Sequence, residues 1–184
     1  MQVFLIRHPR PLIEAGVCYG RLDVDAEAVP AVAARLRELL PAGVPVISSP
    51  LRRARRLAEA LHAEPRLDAR LAEMDFGEWE GRRCADSERA QLDAWAADVL
   101  HFTPPGGESA AMLQARVLAC AASYAGERLA LVAHSGVMRV LLGHWLGLPV
   151  GEWSTLQLEF GSATLVELDD PRGKGQATLR FMSR

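Results

Sequence analysis

Three short, continuous apolar runs, each closed by polar or ionisable residues, constrain this chain more than any other feature. Val3 to Ile6 ends at Arg7-His8-Pro9, Val44 to Ile47 at Ser48-Ser49, and Leu129 to Ala133 at His134-Ser135-Gly136. Such runs read as strands buried on both faces, the mark of a parallel sheet covered by helices. Segments of helical spacing lie between them. Val32, Leu36, Leu39 and Leu40 predict a helix from Pro30 to Leu40, with Pro30 tolerated in its first turn and Pro41 ending it. A second helix is predicted from Leu51 to His62, two more over 85–100 and 108–125 around the Pro-Pro-Gly-Gly turn, and another from Val137 to Leu146. Residues 10–25 read as a loop, and residues 69–83 as a long aromatic loop of the kind that carries function. Leu156–Phe160, Thr164–Leu168 and Ala177–Met182 alternate between turn signals and predict hairpins. The expected fold is α/β: a three-layer α/β/α sandwich with a mostly parallel central sheet and antiparallel C-terminal additions. The 184 residues suit a single domain spanning 1–184.

Composition excludes several classes of function. With 49% hydrophobic and 24% charged residues, the chain has the make-up of a folded globular protein. Its 21 basic and 23 acidic residues leave a formal charge of -2, which gives no electrostatic footprint for nucleic acid or an anionic membrane. No window approaches the roughly 20 apolar residues of a membrane span. The N-terminal apolar run meets Arg7 too early for an export signal. Cys18, Cys84 and Cys120 are odd in number and widely spaced, so neither a disulfide framework nor a CxxC metal site can be drawn. A cytoplasmic protein with a small-molecule partner is expected, its oligomeric state open and a homodimer included.

In open α/β sheets ligands bind beyond the carboxyl ends of the strands. His8 and His134 stand at two such ends. A lone histidine there is most often a structural cap, but Arg7 beside it and a second histidine at another strand end favour chemistry. A neutral imidazole is a good nucleophile towards phosphorus, and cationic neighbours with partial burial keep it neutral. Four arginines crowd SSPLRRARRLAEAL. At about 100° per residue, Leu51, Ala54, Leu57, Ala58 and Leu61 form a buried stripe; Arg52 and Arg56 lie opposite it, and Arg53 and Arg55 flank it. Arg53, nearer the strand end, is the one predicted to enter a pocket. Glu73, Asp75, Glu78 and Glu80 share one loop, each a candidate general acid. His134-Ser135-Gly136 opens a helix, where the Ser135 backbone N–H and the His134 side chain suit an oxyanion. Glu108 and Ser109 either reach the site or cap their helix. His62, His101 and His144 lack these surroundings. A zinc site from His8, His134 and carboxylates is the rival, but no HxH or HExxH spacing is present and an adjacent arginine opposes a cation.

At these residues the sequence resembles the histidine phosphatase superfamily, which has the phosphoglycerate mutase-like fold. LIRHPRP resembles its first motif, with Arg7 on phosphate and His8 as nucleophile. SSPLRRARRLAEAL is similar to the second arginine segment, which assigns Arg53 to phosphate. LAEMDFGEWEG resembles the loop whose glutamate is the proton donor, here Glu73, and VAHSGVMR the second histidine segment, here His134. Within the superfamily, CYGRLDV, DFGEWEG and PPGGES resemble the α-ribazole phosphatase branch of cobalamin synthesis. Pro9 replaces the family's glycine, and Pro11 and Glu14 its threonine and asparagine.

The resemblance implies a phosphoric monoester hydrolase needing no metal or other cofactor. It would act through a phosphohistidine on His8, with Arg7, Arg53, His134 and Ser135 on the phosphoryl oxygens and Glu73 as acid and then base. α-Ribazole 5′-phosphate is the expected substrate. The rivals are a broad-specificity phosphatase, a protein phosphohistidine phosphatase, and a catalytically inactive binding module.

Overall fold

The computed structural model describes residues 1–83, 89–170 and 177–184. Six strands, β1 (Gln2–Arg7), β2 (Val46–Ser48), β3 (Arg66–Leu67), β4 (Arg128–Ala133), β5 (Ala163–Leu168) and β6 (Ala177–Phe181), form one sheet in the order β3-β2-β4-β1-β5-β6. The first four pair in parallel, while β5 runs antiparallel to both β1 and β6. The sheet is thus mixed as its sequence predicts.

Alternation along the buried strands divides the core. Phe4, Ile6, Val46, Ala130 and Val132 face α1 (Val29–Arg37) and α2 (Arg52–Leu61). Val3, Leu5, Ile47, Leu129, Leu131 and Ala133 face α4 (Ala110–Ala122) and α5 (Ser135–Trp145). Both sides of the central strands are covered, which explains their uninterrupted apolar character. A further helix, α3 (Arg89–Ala97), follows the long loop, and residues 85–88 of the predicted 85–100 helix lie outside the described residues.

Two expectations are corrected. Leu156–Phe160 is not a strand, and the predicted first hairpin does not form. Its backbone is claimed by side chains instead: the Leu158 carbonyl accepts from Arg7 Nη1 at 2.5 Å, the Gln157 carbonyl from Ser183 Oγ, and Ser183 Oγ accepts from the Glu159 N–H. Leu156 and Leu158 pack on the core, which produces a strand-like alternation without a ladder. The second difference is α5, which begins at Ser135 rather than Val137, with His134 as its N-cap residue.

The chain between α5 and the tail forms a 3-10 segment, Val150–Thr155, whose Trp153 lies against α5 at Gly143. A Cβ on Gly143 would stand 2.1 Å from Trp153 Nε1. Glycine-to-alanine in an open helix interior stabilises by up to about 1 kcal/mol. Here the sign should reverse: Gly143→Ala is expected to destabilise by about 1–3 kcal/mol, the range for overpacking. Urea unfolding compared with the parent chain checks this, and a stabilised variant would contradict the contact.

Candidate active site

Because β4 lies between β1 and β2 in parallel register, Arg7 sits opposite Ala133 and Ser48 opposite Val132. The ladder runs one residue further: the His8 N–H donates to the Ala133 carbonyl and the Ser49 N–H to the Val132 carbonyl. His8, His134 and Ser49 therefore emerge side by side at the carboxyl edge of the sheet. The imidazole centroids of His8 and His134 are 5.0 Å apart. His8 Nδ1 lies 2.6 Å from the Pro9 carbonyl, an oxygen that can only accept, so Nδ1 carries the proton and Nε2 presents a lone pair. Proline has lost its N–H here but keeps the carbonyl that sets the tautomer.

The arginines are held from behind. Arg53, fully buried as the helical wheel predicts, donates Nη1 to the Leu22 carbonyl and Nη2 to the Gly20 carbonyl, each at 2.7 Å. Arg7 is fixed by Leu158, and its guanidinium stacks 3.7 Å from the Phe160 ring centroid. Arg52 and Arg56 lie outside, paired with Asp23 and Asp25. Three buried nitrogens in this region have no partner among the described residues: Arg7 Nε, Arg53 Nε and His134 Nδ1. Buried unpaired donors are costly, and a cluster on cationic groups is complementary to an oxyanion.

Electrostatics follow from burial. Desolvation first, then the charges of Arg53 and Arg7, outweigh the Pro9 hydrogen bond and lower the His8 pKa to about 3. His134, enclosed more completely, is driven well below its ordinary value by burial and by His8, Arg53, Arg116 and Arg7. Both rings are neutral at neutral pH. Burial also lowers Arg7 and Arg53, opposed in each case by Tyr19 and Glu73. Tyr19, which the sequence reading missed, packs with its ring centroid 5.2 Å from the Arg53 guanidinium.

Of the four loop carboxylates, only Glu73 faces this cluster. Its Oε2 accepts from the Gly136 N–H at 3.1 Å and its Oε1 from the Met74 N–H at 3.0 Å. A Cβ on Gly136 would stand 2.3 Å from Glu73 Oε1, so glycine is needed for this approach. Asp75 accepts from the Gly77 N–H within its own turn, and Glu80 takes the N–H groups of Arg21, Leu22 and Phe76. Glu78 is exposed. Glu108 does not reach the histidine–arginine cluster: it accepts from the Asp75 N–H and pairs with Arg116. Burial raises its pKa, but Arg116, the Asp75 N–H and Arg21 outweigh that and hold it below the usual carboxylate range. Ser109 caps α4, accepting from the Met112 N–H at 3.2 Å. Arg116, also unforeseen, donates to the carbonyls of Arg70, Ala72 and Glu73 and so pins the loop.

Beyond Glu73 and Ser135 opens a cavity of about 620 Å³. Phe76, Trp79, Trp95, Trp153 and Leu113 give it a chiefly apolar wall, with Tyr19 and Arg139 as polar edges. Ser135 lies between this cavity and the histidines as the first residue of α5, where free backbone N–H groups and the helix dipole favour an anion.

Residues 3–179 match the family model of the histidine phosphatase superfamily (branch 1). The chain belongs to that superfamily and is an enzyme of its phosphatase class. It is 31% identical to a glucosyl-3-phosphoglycerate phosphatase of Mycolicibacterium vanbaalenii, over 91% of this chain and 83% of the relative. It is 29% identical to a Hydrogenobacter thermophilus protein provisionally named phosphoserine phosphatase 2, over 100% of this chain and 95% of that one. An Escherichia coli structure provisionally named an alpha-ribazole-5'-P phosphatase superposes with a TM-score of 0.86 at 26% identity, covering 100% of this chain and 96% of that one. No helix among the described residues is long and apolar enough to cross a membrane.

The buried neutral rings have a consequence for stability. Between pH 6.5 and about 3 an unfolded-state histidine binds a proton that His8 refuses. The unfolded state then holds more protons, so stability falls as pH falls through that window, by up to about 1.4 kcal/mol per pH unit for each such ring. His134→Gln should remove one contribution and flatten the fall between pH 6.5 and 4.5. Urea titrations across that range read the slope directly, and parallel slopes for parent and variant would refute the buried neutral state of His134.

Proposed function

We propose that residues 1–184 form one phosphatase domain that hydrolyses phosphomonoesters through a phosphohistidine without a metal, with α-ribazole 5′-phosphate as its substrate. The observation that carries the reaction is the juxtaposition of the unprotonated His8 Nε2 with the partnerless nitrogens of Arg7, Arg53 and His134. Guanidinium groups occupy the place that a catalytic cation would need. In the first step His8 Nε2 forms a bond to phosphorus as the ester P–O bond breaks. Arg7, Arg53, His134 and the Ser135 N–H hold the equatorial oxygens. Glu73 gives its proton to the departing alkoxide; a neighbouring phosphate dianion favours the protonated carboxyl. In the second step Glu73 takes a proton from water, the new P–O bond forms and the N–P bond breaks, releasing phosphate and neutral His8.

The substrate reading rests on the three branch-like segments and on the cavity beside Glu73. Its aromatic wall suits a leaving group with a flat apolar ring such as benzimidazole. Trp95 Nε1 and Arg139 Nε are buried without partners among the described residues, and they offer donors to the ring nitrogen and ribose oxygens. Cytoplasmic action is part of the same reading.

Brief incubation with labelled ester followed by alkaline quench should leave a base-stable, acid-labile phosphoryl group on the protein, absent in His8→Ala. Label persisting in that variant removes His8 from its role. For substrate, kcat/KM for α-ribazole 5′-phosphate should exceed those for phosphoserine and glucosyl-3-phosphoglycerate at least tenfold, and equal values would point to broad specificity. Glu73→Gln tests the acid. A ribosyl alkoxide needs a proton and nitrophenolate does not, so kcat/KM should fall about 10²–10⁴-fold for the ribosyl ester and far less for nitrophenyl phosphate. Equal losses would place the acid elsewhere.

A further inference from the structure

We infer that Ser49 acts as a positioning residue that locks His134 in the tautomer with its proton on Nδ1, so that this ring serves as a hydrogen-bond donor to the transferring phosphoryl group. The inference rests on the phosphoryl site proposed above and adds a residue to it. Ser49 Oγ lies 2.7 Å from His134 Nε2, and the Leu51 N–H donates to the same oxygen at 3.3 Å. Both Ser49 and His134 are 0% exposed, so neither can turn to bulk water for a partner.

A hydroxyl has one hydrogen and two lone pairs, and a neutral imidazole has one donor and one acceptor nitrogen. Two arrangements are therefore open. With the ring proton on Nε2, Ser49 Oγ accepts from both Leu51 and His134. Its own hydrogen then points at nothing among the described residues, and His134 Nδ1 becomes a bare lone pair aimed at an anion site. With the ring proton on Nδ1, Ser49 accepts from Leu51 and donates to Nε2, and every group of the trio is satisfied except Nδ1–H. The first arrangement buries two unmet groups, at about 1–3 kcal/mol each. The second leaves one, and it is a donor of the kind a phosphoryl oxygen completes.

The strand ends thus prepare their two histidines for opposite tasks with the same tautomer. The Pro9 carbonyl engages the protonated nitrogen of His8 and leaves a lone pair. Ser49 engages the lone pair of His134 and leaves an N–H. The parallel register of β2 on β4 is what brings Ser49 to that ring. Burial and the surrounding cations keep His134 neutral, so the tautomer, and not protonation, decides what it offers.

Long-range proton–nitrogen NMR on histidine-labelled protein tests this without turnover, the His134 signals being identified by their loss in His134→Gln. In the parent chain, free and with vanadate bound, His134 should show the neutral Nδ1–H pattern. In Ser49→Ala it should shift towards Nε2–H. Ser49→Ala should lower kcat/KM about 10²-fold, the effect of losing one oxyanion donor. The loss should be equal for ribosyl and nitrophenyl esters, because the donor serves the phosphoryl group and not the leaving group. Ser49→Thr, which keeps the hydroxyl, should recover most of both readouts. An Nε2–H pattern in the parent overturns the inference even if Ser49→Ala fails to fold. So does an unchanged tautomer in a folded Ser49→Ala. Absence of phosphohistidine alongside the expected tautomer would instead count against the reaction mechanism alone.

Discussion

Because β4 runs parallel to both of its neighbours, the chain leaves the sheet three times along one edge, at the ends of β1, β4 and β2. Parallel strands need helical crossovers, and these crossovers bury both faces of the sheet. That single pairing places two imidazoles, a serine hydroxyl and Arg7 within one patch while the apolar residues behind them fill two separate cores. Antiparallel pairing of β4 would have sent His134 to the far end of the molecule.

The patch would be unstable without its surroundings. The buried Arg53 guanidinium and the half-buried Arg7 stand close to two imidazoles, and no salt bridge to either is found among the described residues. Backbone carbonyls solvate them instead: Gly20 and Leu22 hold Arg53, and Leu158 holds Arg7. Carbonyl dipoles tether an arginine without cancelling its charge, so the site stays cationic and the remaining N–H groups stay directed. Glu73 is the nearby carboxylate, and the backbone of α5 at Gly136 keeps it at the mouth of the cavity.

Much of this was legible in the residues. Apolar runs revealed β1, β2 and β4, and the periodicity of α2 singled out Arg53 among four arginines. Glu73 could not be separated from Asp75, Glu78 and Glu80 by spacing; the family resemblance chose it, and the hydrogen bonds of Asp75 and Glu80 explain what the others do. Tyr19, Arg116 and the Ser49–His134 contact were not foreseen. Each depends on which loop packs against which, and local pattern holds no record of that. Leu156–Phe160 misled for the opposite reason. Its alternation is real, but its carbonyls answer to side chains far away in the chain.

The tether on Arg7 bears on how the protein comes into being. The residue beside His8 is held by Leu158 and Phe160, Leu158 standing 151 positions further along the chain than Arg7, and the Gly161 N–H donates to the His8 carbonyl. During synthesis Arg7 and His8 are made well before the segment that orients this arginine. A growing polypeptide therefore carries the arginine–histidine pair before the residues that hold it in place exist. The corner formed by Arg7 and His8 is therefore complete only once residues 158–161 have folded back against the end of β1.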